Sequence, residues 1–68
     1  MAGDFPVATV KKLMKKAGIE RASDEAAETL ADSLNEIGFK ISKKAVDLMY
    51  HAKRRTVTKE DIRLAASQ

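Results

Sequence analysis

Cysteine and tryptophan are absent from this chain of 68 residues, which has only one proline and three glycines. Without cysteine, neither a disulfide framework nor a thiolate zinc site can stabilise the fold. Aromatic residues make up 4% of the chain, so the core is expected to be aliphatic. No apolar run approaches the roughly 20 residues of a membrane span, and no charged-then-apolar leader pattern opens the chain. We therefore expect one small domain that stays in the compartment where it is made.

Charged residues make up 34% of the chain, with 13 Lys and Arg against 10 Asp and Glu, so the net charge is +3. So mild a basic balance is weak evidence for a nucleic-acid partner, because the electrostatic footprint depends on where the cations cluster. The hydrophobic fraction of 44% argues against disorder. A domain this small has difficulty burying enough apolar surface alone, and oligomerisation is a common remedy.

Apolar residues recur at spacings of three and four along most of the chain, which predicts helices and gives no signal for a strand. The pattern predicts an all-α domain with a short, a long and a short helix. We expect this single domain to cover residues 1–68, without tails. The three helices are expected over about residues 6–17, 23–52 and 58–67.

Residues typical of helix ends mark these boundaries. Gly18 is expected to end the first helix, since glycine readily adopts the left-handed conformation found there. Ser23 is a favourable N-cap for the second helix. Thr58 and Asp61 predict a start resembling a capping box, with Asp in place of the usual Glu.

The long central helix is expected to need a partner. At about 1.5 Å per residue it would span roughly 43 Å, whereas each flanking helix would span only about 16 Å. The flanking helices therefore cannot cover its apolar stripe, and Gly38 in its middle could let another helix approach closely. We predict a symmetric homodimer with crossed central helices, which commonly has no stable folded monomer.

Three consecutive cations, Lys53, Arg54 and Arg55, stand where the central helix must end and just before the next helix begins. Cations beside a helix N-terminus make a good phosphate site, because side-chain charge and free backbone N–H groups converge there. The alternative interpretation is that these cations are merely solvated.

Four further cations crowd the first helix. They form like-charge pairs at i, i+4, which cost helix stability and which a nearby polyanion would relieve. The alternative role is solubility. The four residues are Lys11, Lys12, Lys15 and Lys16.

Taken together, this helix plan and two motifs resemble the archaeal histones. The motifs are Lys16 to Ala26 around the first loop and His51 to Ile62 around the second, and the resemblance covers about residues 5–66. It implies a handshake dimer with the histone fold that binds, bends and compacts double-stranded DNA. Lys53 stands where archaeal members commonly have Gly, so the second loop is also similar to that of eukaryotic core histones.

The resemblance implies a DNA surface made of the paired first helices and of paired loops at each end of the dimer. It places Arg21 in the minor groove beside Thr56, and it makes Lys12 the DNA residue of the first helix. It also implies that Arg54 braces the second loop through a salt bridge to Asp61. The full set of expected DNA contacts is Lys11, Lys12, Lys15, Arg21, Ser23, Lys53, Arg55 and Thr56.

The resemblance further implies that dimers join through a four-helix bundle. Leu48, His51, Asp61 and Leu64 would build it, with His51 reaching Asp61 of the neighbouring dimer. Gly18 is a candidate for close stacking of DNA-wrapped dimers. An acidic row on the central helix is expected to be a solvated face, with a contact to a neighbouring dimer or a basic partner as the alternative. The row consists of Asp24, Glu28, Asp32 and Glu36.

The predicted function is a chromosome-associated, cytoplasmic histone that wraps DNA with little sequence preference, as dimers, tetramers or longer assemblies. The alternative is a histone-fold subunit of a transcription or chromatin complex that acts through a protein partner. A heterodimer with a paralogue stays open. With His51 as the only histidine and no nucleophile set, an enzyme is disfavoured, and we expect no metal, no cofactor and no membrane partner.

Overall fold

The computed structural model describes residues 5–68, so the first four residues of the predicted domain lie outside the description. The described chain contains no strand, and its three α-helices follow the short, long, short order. Helix α2 has 28 residues and is therefore about 42 Å long. The helices are α1, Val7–Lys16, α2, Asp24–His51, and α3, Lys59–Ser67.

The helices begin or end about one residue inside the predicted bounds, because the flanking residues take cap positions. Pro6 is the N-cap of α1 and has an extended backbone, with ψ of 141°. Ser23 Oγ accepts a hydrogen bond from the backbone N–H of Ala26 at 3.0 Å, just before α2. Thr58 is the N-cap of α3. Residues 17–23 form the first loop, and residues 52–58 form the second loop.

The chain divides into two compact units, one ending at Glu36 and the other running from Ile37 to Gln68. In the first unit, Val10 and Met14 of α1 pack with Ala27 and Ala31 of α2 in a small buried cluster. Each pair is spaced by four residues, so each helix presents one stripe to the other. Leu13, which the apolar spacing also places on α1, is 48% exposed.

In the second unit, Ala45 and Met49 of α2 and Ala65 of α3 are buried. The buried set also includes the carboxylate residue Asp61, which is 7% exposed. A buried carboxylate requires charged and hydrogen-bonding partners, so Asp61 must be paired within the folded chain.

Helix α1 ends in a Schellman motif, with Gly18 at φ of 104°. The N–H of Gly18 donates to the carbonyl of Lys15 at 3.0 Å, and the N–H of Ile19 donates to that of Met14 at 3.0 Å. Glycine suits this left-handed position because it has no Cβ to clash with the backbone. The predicted role of Gly18 at the helix end is confirmed.

Helix α2 ends with the same hydrogen bonds, although no glycine is present. The N–H of Lys53 donates to the carbonyl of Tyr50 at 3.0 Å, and the N–H of Arg54 donates to that of Met49 at 3.1 Å. Lys53 has φ of 58° and is the only non-glycine residue with positive φ in the described chain. The left-handed conformation costs an L-residue about 1–2 kcal/mol, so this lysine occupies a strained position.

Candidate nucleic-acid interface

The second loop is tied to α3 by a bidentate ion pair. Arg54 donates from Nη1 to Oδ2 of Asp61 at 2.8 Å and from Nη2 to Oδ1 at 2.9 Å. Arg54 Nη1 also donates to the backbone carbonyl of Thr56 at 2.7 Å. Paired N–H···O bonds of this kind are geometrically specific. Arg54 therefore holds the path of the loop and is committed to its own chain.

Asp61 also closes the start of α3. The backbone N–H of Thr58 donates to Asp61 Oδ2 at 2.9 Å, and the N–H of Asp61 donates to Thr58 Oγ1 at 3.3 Å. Both halves of the predicted capping box are thus present. The hydrogen bonds from Arg54, followed by that from the Thr58 backbone, hold the pKa of Asp61 well below its usual range. Asp61 is therefore ionised at neutral pH.

Because Arg54 is committed internally, the exposed cations of the second loop are Lys53 and Arg55. Thr56 is exposed beside them, and all three precede the N-terminus of α3 by a few residues. Backbone N–H groups at a helix N-terminus are suitable donors to phosphate. The arrangement can bind an anion with two flexible side-chain charges and a fixed backbone.

The first loop also gathers cations, within the first unit. An open depression of about 260 Å³ lies beside it, and three of its lining residues are Lys11, Lys15 and Arg21. Arg21 and Ser23 are exposed directly before α2. Ser23 Oγ accepts from Ala26, and its hydroxyl hydrogen can still be donated to a ligand.

Lys11 is not a free cation in this structure. Its Nζ donates to Oδ1 of Asp24 at 2.5 Å, which joins α1 to the first residue of α2. The hydrogen bond and the charge of Lys11 lower the pKa of Asp24. The predicted DNA contacts Lys12 and Lys15 are exposed on α1. Lys11 therefore differs from the other predicted contacts on this helix.

The structure brings most of the predicted DNA residues together in two sets, one in each unit, whereas Lys12 lines a separate depression with Lys16. Lys11, Lys15 and Arg21 line the depression at the first loop, while the second loop holds Lys53, Arg55 and Thr56. Arg21 and Thr56 belong to different units, and their pairing stays a prediction.

The four predicted bundle residues have different environments in the second unit. Leu64 is 51% exposed, His51 is exposed and Leu48 is half-buried. His51 Nδ1 lies 2.9 Å from the backbone carbonyl oxygen of Asp47. Asp61 uses three of its roughly four lone-pair sites within its own chain, since a carboxylate oxygen accepts about two hydrogen bonds.

Two features of the site have only faint signals in the sequence. Lys11 and Asp24 are 13 residues apart, so the spacing of residues along one helix does not predict their contact. The sequence indicates only that an acid in the first turn of α2 is stabilised by the helix dipole. The strained backbone of Lys53 follows from the position of the helix end, where glycine is preferred. Within residues 5–68, no group of three His, Cys, Asp or Glu side chains could hold a metal ion. In the same residues, no helix has the length and apolarity needed to cross a membrane.

The helix order and the basic loops are those of a DNA-binding chromatin protein with the all-α histone fold, as the family match and the relatives show. Residues 4–66 match the family described as histone-like transcription factor (CBF/NF-Y) and archaeal histone. The chain belongs to this family, which confirms the fold predicted from its sequence.

Two curated relatives have similar lengths. One is a subunit of the archaeal histone HAN1 from Thermococcus zilligii, and the other is the probable archaeal histone 3 of Methanocaldococcus jannaschii. Each is 45% identical over 62 residues, which cover 91% of this chain and 92% of the relative. The similarity therefore includes all three helices and both loops.

Proposed function

We propose that this protein forms homodimers with crossed α2 helices, and that these dimers wrap and compact double-stranded DNA with little sequence preference. The observation that carries the proposal is the position of the exposed cations. Three of them lie in loops that each lead into a helix N-terminus, with Arg21 before α2, and Lys53 and Arg55 before α3. Such sites contact phosphates, which every DNA sequence presents.

The exposed apolar surface supports the dimer. Ile37 lies at the midpoint of α2 and is 54% exposed, and a Cβ placed on the adjacent Gly38 would meet nothing within 4 Å. A second α2 could therefore approach closely at this point. Among residues 5–68 of the single chain, the exposed large hydrophobic residues are Phe5, Leu13, Ile19, Ile37, Phe39, Tyr50, Ile62 and Leu64.

A buried polar atom near this midpoint also supports the dimer. The Nδ2 of Asn35 is buried, and among the described residues it has no hydrogen-bond partner. Buried donors are nearly always paired in complete assemblies. An acceptor from a crossing chain would satisfy it. A paralogue that offers the same acceptor would form a heterodimer instead.

Each DNA contact has a distinct role in this proposal. Arg21 enters the minor groove, as arginines do where DNA wraps around a protein, and Thr56 of the partner copy lies beside it. Lys53 and Arg55 bind phosphates together with the backbone N–H groups near Thr56, and Ser23 donates its hydroxyl hydrogen to a phosphate. Lys12 binds the centre of the site, where the two α1 helices meet, and Lys15 binds phosphate at the first-loop depression.

Dimers extend into tetramers and longer assemblies through the end of α2 and through α3. Leu48 and Leu64 supply apolar contact, and His51 reaches the remaining acceptor site on Oδ1 of Asp61 in the next dimer. At Gly18, open space surrounds the position of a Cβ, which suits close stacking of dimers. These assemblies would be chromosome-associated.

Nuclease digestion of protein reconstituted on long DNA tests the proposal. Stepwise addition of dimers should protect fragments that increase by a constant length. Affinity should also fall steeply with salt, because each neutralised phosphate adds about 0.9 to the slope of log K against log salt. DNA left unprotected at saturating protein would contradict wrapping and would favour a subunit that acts through a protein partner.

A charge-matched pair of variants sharpens this test. Arg21→Ala with Arg55→Ala removes one cation from each loop. Lys43→Ala with Arg63→Ala removes two exposed cations that lie outside both loops. The loop variant should lose the protection ladder and the control should keep it. Equal losses would show that net charge, and not the loops, governs binding.

A further inference from the structure

The Lys11–Asp24 ion pair stands at the position where the proposed function requires a phosphate. Asp24 is the first residue of α2, and the free N–H groups of that helix end attract anions. The side chain of Lys11 is 39% exposed, and that of Asp24 is 75% exposed. The pair is therefore accessible to a competing ligand.

A carboxylate and a phosphate use the same two attractions at this site. Both are stabilised by the positive end of the helix dipole, and both accept hydrogen bonds from lysine. Asp24 is ionised at neutral pH, because the ordinary aspartate pKa of about 3.9 is already acidic and Lys11 lowers the pKa of Asp24 further. Ion pairs this exposed contribute little to stability, so DNA can displace this one without disrupting the fold.

We propose that Asp24 is an intrachain competitor of DNA phosphate, which occupies Lys11 and the N-terminus of α2 until DNA displaces it. This inference rests on the proposed DNA binding and adds a regulating residue to the first-loop site. It predicts that the first-loop site binds DNA more weakly than its cations would allow. Lys15 lines the same depression and contributes its full charge.

The main test is Asp24→Asn, measured by titrating a fluorescent mixed-sequence duplex at several salt concentrations. At 0.15 M salt, the dissociation constant should fall about fivefold for each copy of Lys11 that loses its partner Asp24. One neutralised phosphate contributes this factor, because it adds about 0.9 to the slope of log K against log salt. The salt slope should steepen by about 0.9 for each additional phosphate that Lys11 neutralises. Circular dichroism checks that the helices persist, and Asp24→Ser serves as a second variant because serine is also compatible with a helix start.

The matched control is Glu28→Gln, which removes the same charge one turn further along α2, from a side chain that is also exposed. It should change affinity much less than Asp24→Asn. Equal increases in affinity from the two variants would overturn the inference, because any lost negative charge would then suffice.

A double-mutant cycle tests the part played by Lys11. Lys11→Gln should lower affinity less in the wild-type chain than in the Asp24→Asn background, where it should cancel the increase. Additive effects would overturn the competition between Asp24 and phosphate. Failure of the wild-type protein to bind the duplex at all would instead overturn the proposed function, so the two failures are distinguishable.

Discussion

The two loops end their preceding helices with the same hydrogen bonds but use their side chains differently. In the first loop, a glycine takes the left-handed position, and beside this loop an exposed pair, Lys11 of α1 and Asp24 of α2, links the two helices. In the second loop, Lys53 takes that position, and a bidentate pair, Arg54 and Asp61, lies partly buried. The same backbone hydrogen bonds therefore accompany an exposed ion pair at one loop and a partly buried ion pair at the other.

Burial explains why the pairs differ. The carboxylate of Asp61 has exchanged water for Arg54 and the backbone of Thr58, so removing a partner leaves a buried charge uncompensated. Asp24 keeps most of its contact with water, so it can lose Lys11 at little cost.

Loss of the Arg54–Asp61 ion pair should have the largest effect on stability. Arg54→Ala should lower the denaturation midpoint more than any other variant here, because it leaves the Asp61 carboxylate buried without its cation. The measurement is urea unfolding at fixed protein concentration, since the midpoint of a dimer depends on concentration. Lys11→Ala is the matched control, because it removes the exposed ion pair beside the first loop, and it should change the midpoint little. A similar shift in both variants would show that the two pairs are equivalent.

Asp61 should also make stability depend on pH in the acid range. Its folded-state pKa is lowered, so its contribution is complete above the unfolded value of about 3.9 and is lost as pH falls towards the folded value. Urea unfolding between about pH 5 and pH 2 should therefore show a steep loss in the wild type and a flatter profile in Asp61→Asn. Asp24→Asn should flatten the profile less, and the opposite order would contradict the comparison.

Gly18→Ala should destabilise the protein by about 1–2 kcal/mol, because alanine is strained at positive φ. Since a Cβ at this position meets no atom within 4 Å, the loss would come from the backbone and not from crowding. Thermal unfolding at fixed concentration measures it. Ala17→Gly is a useful control, because Ala17 has φ of −82° and should gain nothing from a glycine.

Lys53→Gly should have the opposite sign, with stability rising by about 1 kcal/mol from relief of the left-handed lysine. DNA affinity should fall at the same time, by about fivefold per lost phosphate contact at 0.15 M salt. Unfolding and duplex titration of the same variant measure both. Higher stability with unchanged affinity would show that Lys53 does not contact DNA.

Much of the fold follows from local patterns. Apolar spacing and caps locate the three helices to within about one residue, and Thr58 with Asp61 identifies the start of α3. The exposure of Leu13 could not be foreseen, since spacing alone does not reveal how wide a stripe one chain can cover. The Lys11–Asp24 pair could not be foreseen either, because folding at the first loop brings residues 13 positions apart into contact.

Helix order, helix ends and the clustering of cations are properties of neighbouring residues, so the amino-acid order was sufficient for them. The division of those cations into structural and exposed ones depends on folding. Among consecutive cations, only Arg54 reaches Asp61, because the left-handed turn at Lys53 directs the chain back towards α3. Likewise, only packing of α1 on α2 sets Lys11 against Asp24. Charge alone marks a basic loop, whereas three-dimensional contacts determine which charges stay available for DNA.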